Sequence, residues 1–155
     1  MRTRATLAIA VLLVAGLAVA AWLSGERSDR TADASKTAVA GATAATRAVF
    51  SYDYRRFDAS VSNGQSFVTG DFAKEYAETT ASLKATAEKE QAVVRAEVSA
   101  ASVVEASPGR VEVLLYVNQY RRNANITGEK VDQNRVVLTL VSVDGQWKVI
   151  RAEAI

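Results

Sequence analysis

The sequence predicts an α+β fold: an apolar N-terminal helix, two further helices, and a four-stranded antiparallel sheet on which those two helices lie. Three observations carry this. Residues 5–23 hold no charge, residues 35–91 place apolar side chains at three-to-four-residue spacing, and from Val94 the repeat shortens to two between turn residues. Helices gathered ahead of antiparallel strands pack across one concave face of the sheet they precede.

The first element is "ATLAIAVLLVAGLAVAAWL", Ala5 to Leu23, whose one polar residue is Thr6. At about 1.5 Å per residue its helix would span roughly 28 Å, close to the hydrocarbon thickness of a bilayer. Arg2 and Arg4 precede it and Trp22 stands at its far end, the arrangement of a cytoplasmic positive tail and an interfacial aromatic anchor. Residues 1–4 therefore read as a cytoplasmic tail and 5–23 as a single transmembrane helix of the inner membrane, with the remainder extracytoplasmic. A cleaved signal peptide is the alternative, since Ala18-Val19-Ala20 fits a small-x-small site, but that site lies inside the apolar run rather than after it.

Residues 24–34 are polar and aperiodic, a juxtamembrane linker. The domain proper is 35–155. Its first helix carries Val39, Ala42, Thr46, Phe50, Tyr54 and Phe57 on one stripe, fades through Val61 and stops at Ser62-Asn63-Gly64. A second helix starts near Thr69, with Phe72, Tyr76, Leu83 and Ala87 on its buried face and i,i+4 pairs Lys74–Glu78 and Lys84–Glu88 on its wet one. Thr69 or Asp71 is placed to cap it. Strands follow from Val94, from Val111 to Tyr120, from Val131 to Val143 and from Gln146 to about Ala154. Asp144-Gly145 joins the last two as a two-residue hairpin, which would set Ser142 opposite Trp147, Leu140 opposite Val149 and Leu138 opposite Arg151.

Composition removes several chemistries. Without Cys or His there is no thiol nucleophile, imidazole base, usual zinc ligand set or disulfide. Of nineteen Lys and Arg, two precede the apolar run, leaving seventeen against seventeen acids in the rest. A charge-balanced domain has no basic face for phosphates, so nucleic acid is not an expected partner. Neither a metal nor another cofactor is expected.

The anchor together with "AVFSYDYRRFDA", "VTGDFAKEY", "VLLYVNQYRR" and "DGQWKV" resembles the Mce-associated membrane proteins of actinobacteria, which accompany lipid-import complexes of the cell envelope. The resemblance implies a cone-shaped domain similar to nuclear transport factor 2 and to periplasmic assembly components of type IV secretion systems. It also implies an accessory or stabilising role beside a transporter, with Mce-complex or other membrane transporter proteins, the membrane and a lipid as partners, and no catalytic residues. A lipid or small-molecule carrier using the cone as a pocket, and a secretion-type assembly factor, are the alternatives.

Two groups of residues stand out as sites. Tyr52, Asp53, Tyr54, Arg56 and Tyr76 would form the rim of the cone's pocket, where Asp53 either serves as a base, as a carboxylate does in ketosteroid-isomerase-like members of this fold, or pairs with Arg56 and caps local backbone. The structural role is the expectation, and the chain is not expected to be an enzyme. On the opposite sheet face Val137, Thr139, Val141 and Ile150 would make an apolar patch, with Leu114 and Tyr116 beside it, of the kind that marks an interface.

Overall fold

The computed structural model describes residues 32–155. The predicted transmembrane helix 5–23 lies outside the described residues, among which no helix is long and apolar enough to cross a membrane. Helix α1 covers 32–49, so helix already begins within the stretch expected to be linker. It is followed by a short strand β1 (Tyr52–Asp53), a 3-10 turn (Tyr54–Arg56), α2 (Phe57–Gln65) and α3 (Gly70–Glu90). Strands β2 (Val93–Ser107), β3 (Arg110–Arg122), β4 (Lys130–Val143) and β5 (Gln146–Ala154) complete the chain.

The single long first helix expected from the apolar stripe is therefore two helices with a kinked insert. Tyr52 and Asp53 pair with Val94 and Val93, giving a sheet of five strands in the order β1-β2-β3-β4-β5, all antiparallel, rather than four. The Ser62-Asn63-Gly64 stop is overridden as well. α2 runs through it because Gly64 is buried against the Tyr76 ring, where a Cβ would meet Cζ at 2.7 Å, so tertiary packing outweighs the local breaker.

α1 covers the sheet through Ala38, Ala42, Ala45 and Thr46, all fully buried. Their small side chains bring its backbone close to β5: a Cβ on Gly41 would lie 2.8 Å from Trp147 Cβ, and Trp147 Nε1 donates to Thr37 Oγ1 at 3.0 Å. The core beneath consists of alternate residues of the central strands: Val111, Val113, Leu115 and Val117 of β3 with Leu138 and Leu140 of β4 and Val149 of β5.

Thr69 does not cap α3 with its side chain. Its backbone N–H donates to Val149 O at 2.9 Å while Val149 N–H donates to Phe67 O at 2.8 Å, so the α2–α3 link is laced in parallel onto the edge of β5. Lys74 pairs with Asp71 at 2.8 Å, not with Glu78, and Lys84 reaches Asp58 of α2 at 2.7 Å while keeping Glu88 at 4.0 Å.

The Asp144-Gly145 turn forms with both residues at positive φ, 49° and 75°, as a hairpin of this type requires. Ser142 faces Trp147 and Leu140 faces Val149, but Leu138 faces Ala152 and Thr139 takes Arg151, because Ile150 is the extra residue of a bulge. Strand β2 carries two more irregularities, at Ser99 and Val104, and beyond Val94 its outer edge pairs with no other strand among the described residues.

Candidate functional site

A hollow lies where the chain breaks between α1 and α2. Phe50 at the end of α1, Tyr52 on β1, Phe57 and Val61 on α2, and Phe72, Tyr76 and Leu83 on α3 surround a cavity of about 370 Å³. Val94 of β2 and Gln119 and Arg121 of β3 form its sheet wall. Tyr52 and Phe57 meet edge to face, with ring centroids 5.5 Å apart, a favoured arrangement of aromatic quadrupoles. Trp147 packs against Gly41 of α1 and is not among the residues that line this space. The rings of Phe50, Phe57 and Phe72 line the hollow without closing it.

Burial pushes the phenols of Tyr52 and Tyr76 above their ordinary value, Tyr52 with a further rise from Glu90 opposed by Arg121. Both therefore stay protonated, as hydrogen-bond donors, well into alkaline solution. Arg121 is itself paired to Asp132 across the β3–β4 ladder at 2.5 Å, and Asn134 Nδ2 donates to Gln119 Oε1 at 3.0 Å. The apolar inner face of β3 thus turns polar over its last residues, where Val117 gives way to Gln119 and Arg121.

Of the residues expected on the rim, Tyr52 and Tyr76 line this cavity. Asp53 faces a shallower recess of about 220 Å³ beside Arg47, Ser60 and Arg95, and neither recess is lined by Tyr54 or Arg56. Asp53 pairs with Arg55 rather than Arg56: its Oδ1 accepts from Arg55 N at 3.0 Å and Nε at 2.9 Å, and its Oδ2 from Nη2 at 2.5 Å. These bonds from Arg55 hold the Asp53 carboxyl below the usual carboxylate value. A carboxylate so stabilised in its charged form is a poor proton acceptor. It serves the N-cap of the 3-10 turn instead. Sequence reasoning missed Val61, Thr79, Thr80, Gln119 and Arg121 as lining residues. Thr79 and Thr80 stand three and four positions from Tyr76, a helical spacing that could have found them.

On the far side of the sheet, Val137, Val141 and Ile150 are half-buried, while Thr139 between them is 3% exposed and its hydroxyl lies 3.4 Å from Glu112 Oε1. Leu114 is half-buried across the ladder from Val137, and Tyr116 beyond it is 45% exposed. Among the described residues no group of His, Cys, Asp and Glu is placed to hold a metal ion.

No family profile matches the chain. Two proteins of Mycobacterium tuberculosis, the uncharacterized proteins MT1407 and Rv1362c, are each 31% identical over 148 residues, a match covering 92% of this chain and 67% of theirs. The chain belongs to their family. Solved structures extend the likeness of fold. An IcmL-like type IV secretion system protein of Legionella pneumophila matches with a TM-score of 0.63 at 17% identity, over 76% of this chain and 88% of that one. CagV, a VirB8 homologue from Helicobacter pylori, matches with a TM-score of 0.63 at 7% identity, over 77% and 96%. VirB8 of Agrobacterium tumefaciens gives 0.59 at 12% identity, over 75% and 88%. The family member described here thus has the nuclear transport factor 2-like fold of the VirB8 proteins, with helices packed on five antiparallel strands.

Proposed function

We propose that this chain is a non-enzymatic assembly subunit of a multicomponent cell-envelope machine, tethered in the inner membrane by residues 5–23 with its domain on the extracytoplasmic side. The observation that carries the reading is the shared architecture. Several of the similar structures are components of type IV secretion systems, and another is the periplasmic domain of DotI. The locked Asp53–Arg55 pair supports a role without proton-transfer chemistry. Such a subunit acts by geometry: the tether confines the domain to the membrane surface and raises its effective concentration near a membrane partner. The sheet face of Val137, Val141 and Ile150, with the loop between β3 and β4, supplies the contact. The fold favours a secretion-type assembly as that machine. The sequence resemblance to Mce-associated proteins favours an Mce-type lipid importer as the second reading.

Affinity purification of the tagged full-length chain in mild detergent, followed by mass spectrometry, tests this. Secretion-channel or Mce components should copurify, and which set appears decides between the machines. Val141→Lys with Ile150→Asp should reduce that recovery while the circular dichroism spectrum stays the same. Equal recovery from the double variant would remove the sheet face from the interface, and recovery of no envelope components would remove the assembly role.

A further inference from the structure

We infer that the hollow between β1, α2 and α3 is a binding site for a neutral lipid with one acyl chain and a hydroxyl- or carbonyl-bearing head, a monoacylglycerol being the simplest. The inference is independent of the assembly role. Size sets the first limit. About 370 Å³ lies near the lower end of ligand pockets, enough for a single chain and too small for a two-chain lipid. The walls set the second. Phe50, Phe57, Val61, Phe72 and Leu83 make much of the lining apolar, and water in such a hollow would keep that surface wet, which a hydrocarbon chain relieves.

The head is specified by what stands on the sheet side. Tyr52 and Gln119 line the hollow with a hydroxyl and an amide, and burial keeps the Tyr52 phenol in its donor form. The charged lining residues are Arg121 and Glu75. Asp132 already neutralises the Arg121 guanidinium, so an anionic head would find a compensated cation and an opposing carboxylate. Moving a charge out of water against that balance is costly, whereas a neutral oxygen acceptor needs only the donors present.

The experiment uses the full-length chain in its own membranes and a monolauroylglycerol probe carrying a chain diazirine and an alkyne. After irradiation, adducts are placed by peptide mass spectrometry. They should concentrate on α2 and α3 around Val61, Phe72 and Leu83. Unlabelled monolauroylglycerol should compete better than lauric acid at neutral pH by about tenfold, a difference of roughly 1.4 kcal/mol. Leu83→Trp, which fills the hollow from its half-buried wall, should abolish most of the labelling. Thr79→Phe from the exposed lip should do the same and serves if the tryptophan variant does not fold. Adducts scattered over the outer sheet face, or undiminished in a folded filled variant, would overturn the site. Equal competition by lauric acid would overturn the neutral head.

Discussion

Under α1, the helical layer meets the sheet through alanines and a glycine; between α2, α3 and β1, it meets it through phenylalanines and tyrosines. The first region is closed, with Ala38, Ala42 and Ala45 fully buried and Trp147 pressed against Gly41. The second keeps a hollow of about 370 Å³ despite its larger side chains. Bulk alone does not close a layer; the side chains across it must interdigitate. Small residues let α1 descend onto β5, whereas the ring-bearing segments are held apart by the β1 pairing and the bend at residues 50–56.

The largest change should come from cutting into the closed region. Leu140, with no exposed surface, should cost about 2–5 kcal/mol as Leu140→Ala, read as a lowered urea midpoint at unchanged slope. A smaller effect separates the regions more sharply. Gly41→Ala puts its Cβ against Trp147 Cβ, an atom too near the backbone to swing aside, and should destabilise by about 1–3 kcal/mol although alanine favours helix. Gly64→Ala meets the end of the Tyr76 ring, even closer, and Ala48 O at 3.1 Å, but the ring borders the hollow and can move into it, leaving only the milder backbone contact. Thermal melts should therefore rank Gly41→Ala as the worse change. The reverse order would mean that the second region is as tightly packed as the first.

Much of this contrast was hidden in the sequence. The stripe of Phe50, Phe57 and Phe72 was legible as buried, since periodicity reports which side chains leave water. It does not report whether they meet, so the hollow was invisible. β1 was equally hidden, because two strand residues inside a helical repeat give no alternation to read. The Asp144-Gly145 hairpin was legible because its backbone needs those residues. The register beyond Leu140 was not, because the bulge at Ile150 depends on how β5 curves around the sheet rather than on residue type. Of the rim residues, Tyr52 and Tyr76 reached the cavity and Asp53 did not, since the turn to Arg55 that redirects it is a local pairing that helical geometry would have forbidden.

The smallest effect should come from that pairing. Asp53→Ala removes the 3-10 cap and should cost about 1 kcal/mol, with the Asp53 side chain 20% exposed. The Asp53 carboxyl is lowered in the folded state, so its contribution is present above the ordinary aspartate value and lost as pH falls through the depressed one. Acid titration of the melting temperature should then show the wild type and Asp53→Ala converging at low pH. Parallel curves would assign the difference to lost packing instead.

The bends in β2 bear on how such a domain survives at high local density. Past Ala96, whose N–H donates to Ser51 Oγ at 2.9 Å, no second strand pairs with the outer edge of β2 among the described residues, and a straight strand of that length invites a second chain to zip onto it. The kinks at Ser99 and Val104, the latter leaving its side chain 59% exposed, interrupt the even spacing of amides that a visiting strand must match. Copies at high concentration can thereby stand side by side as separate molecules instead of fusing edge to edge into a fibre.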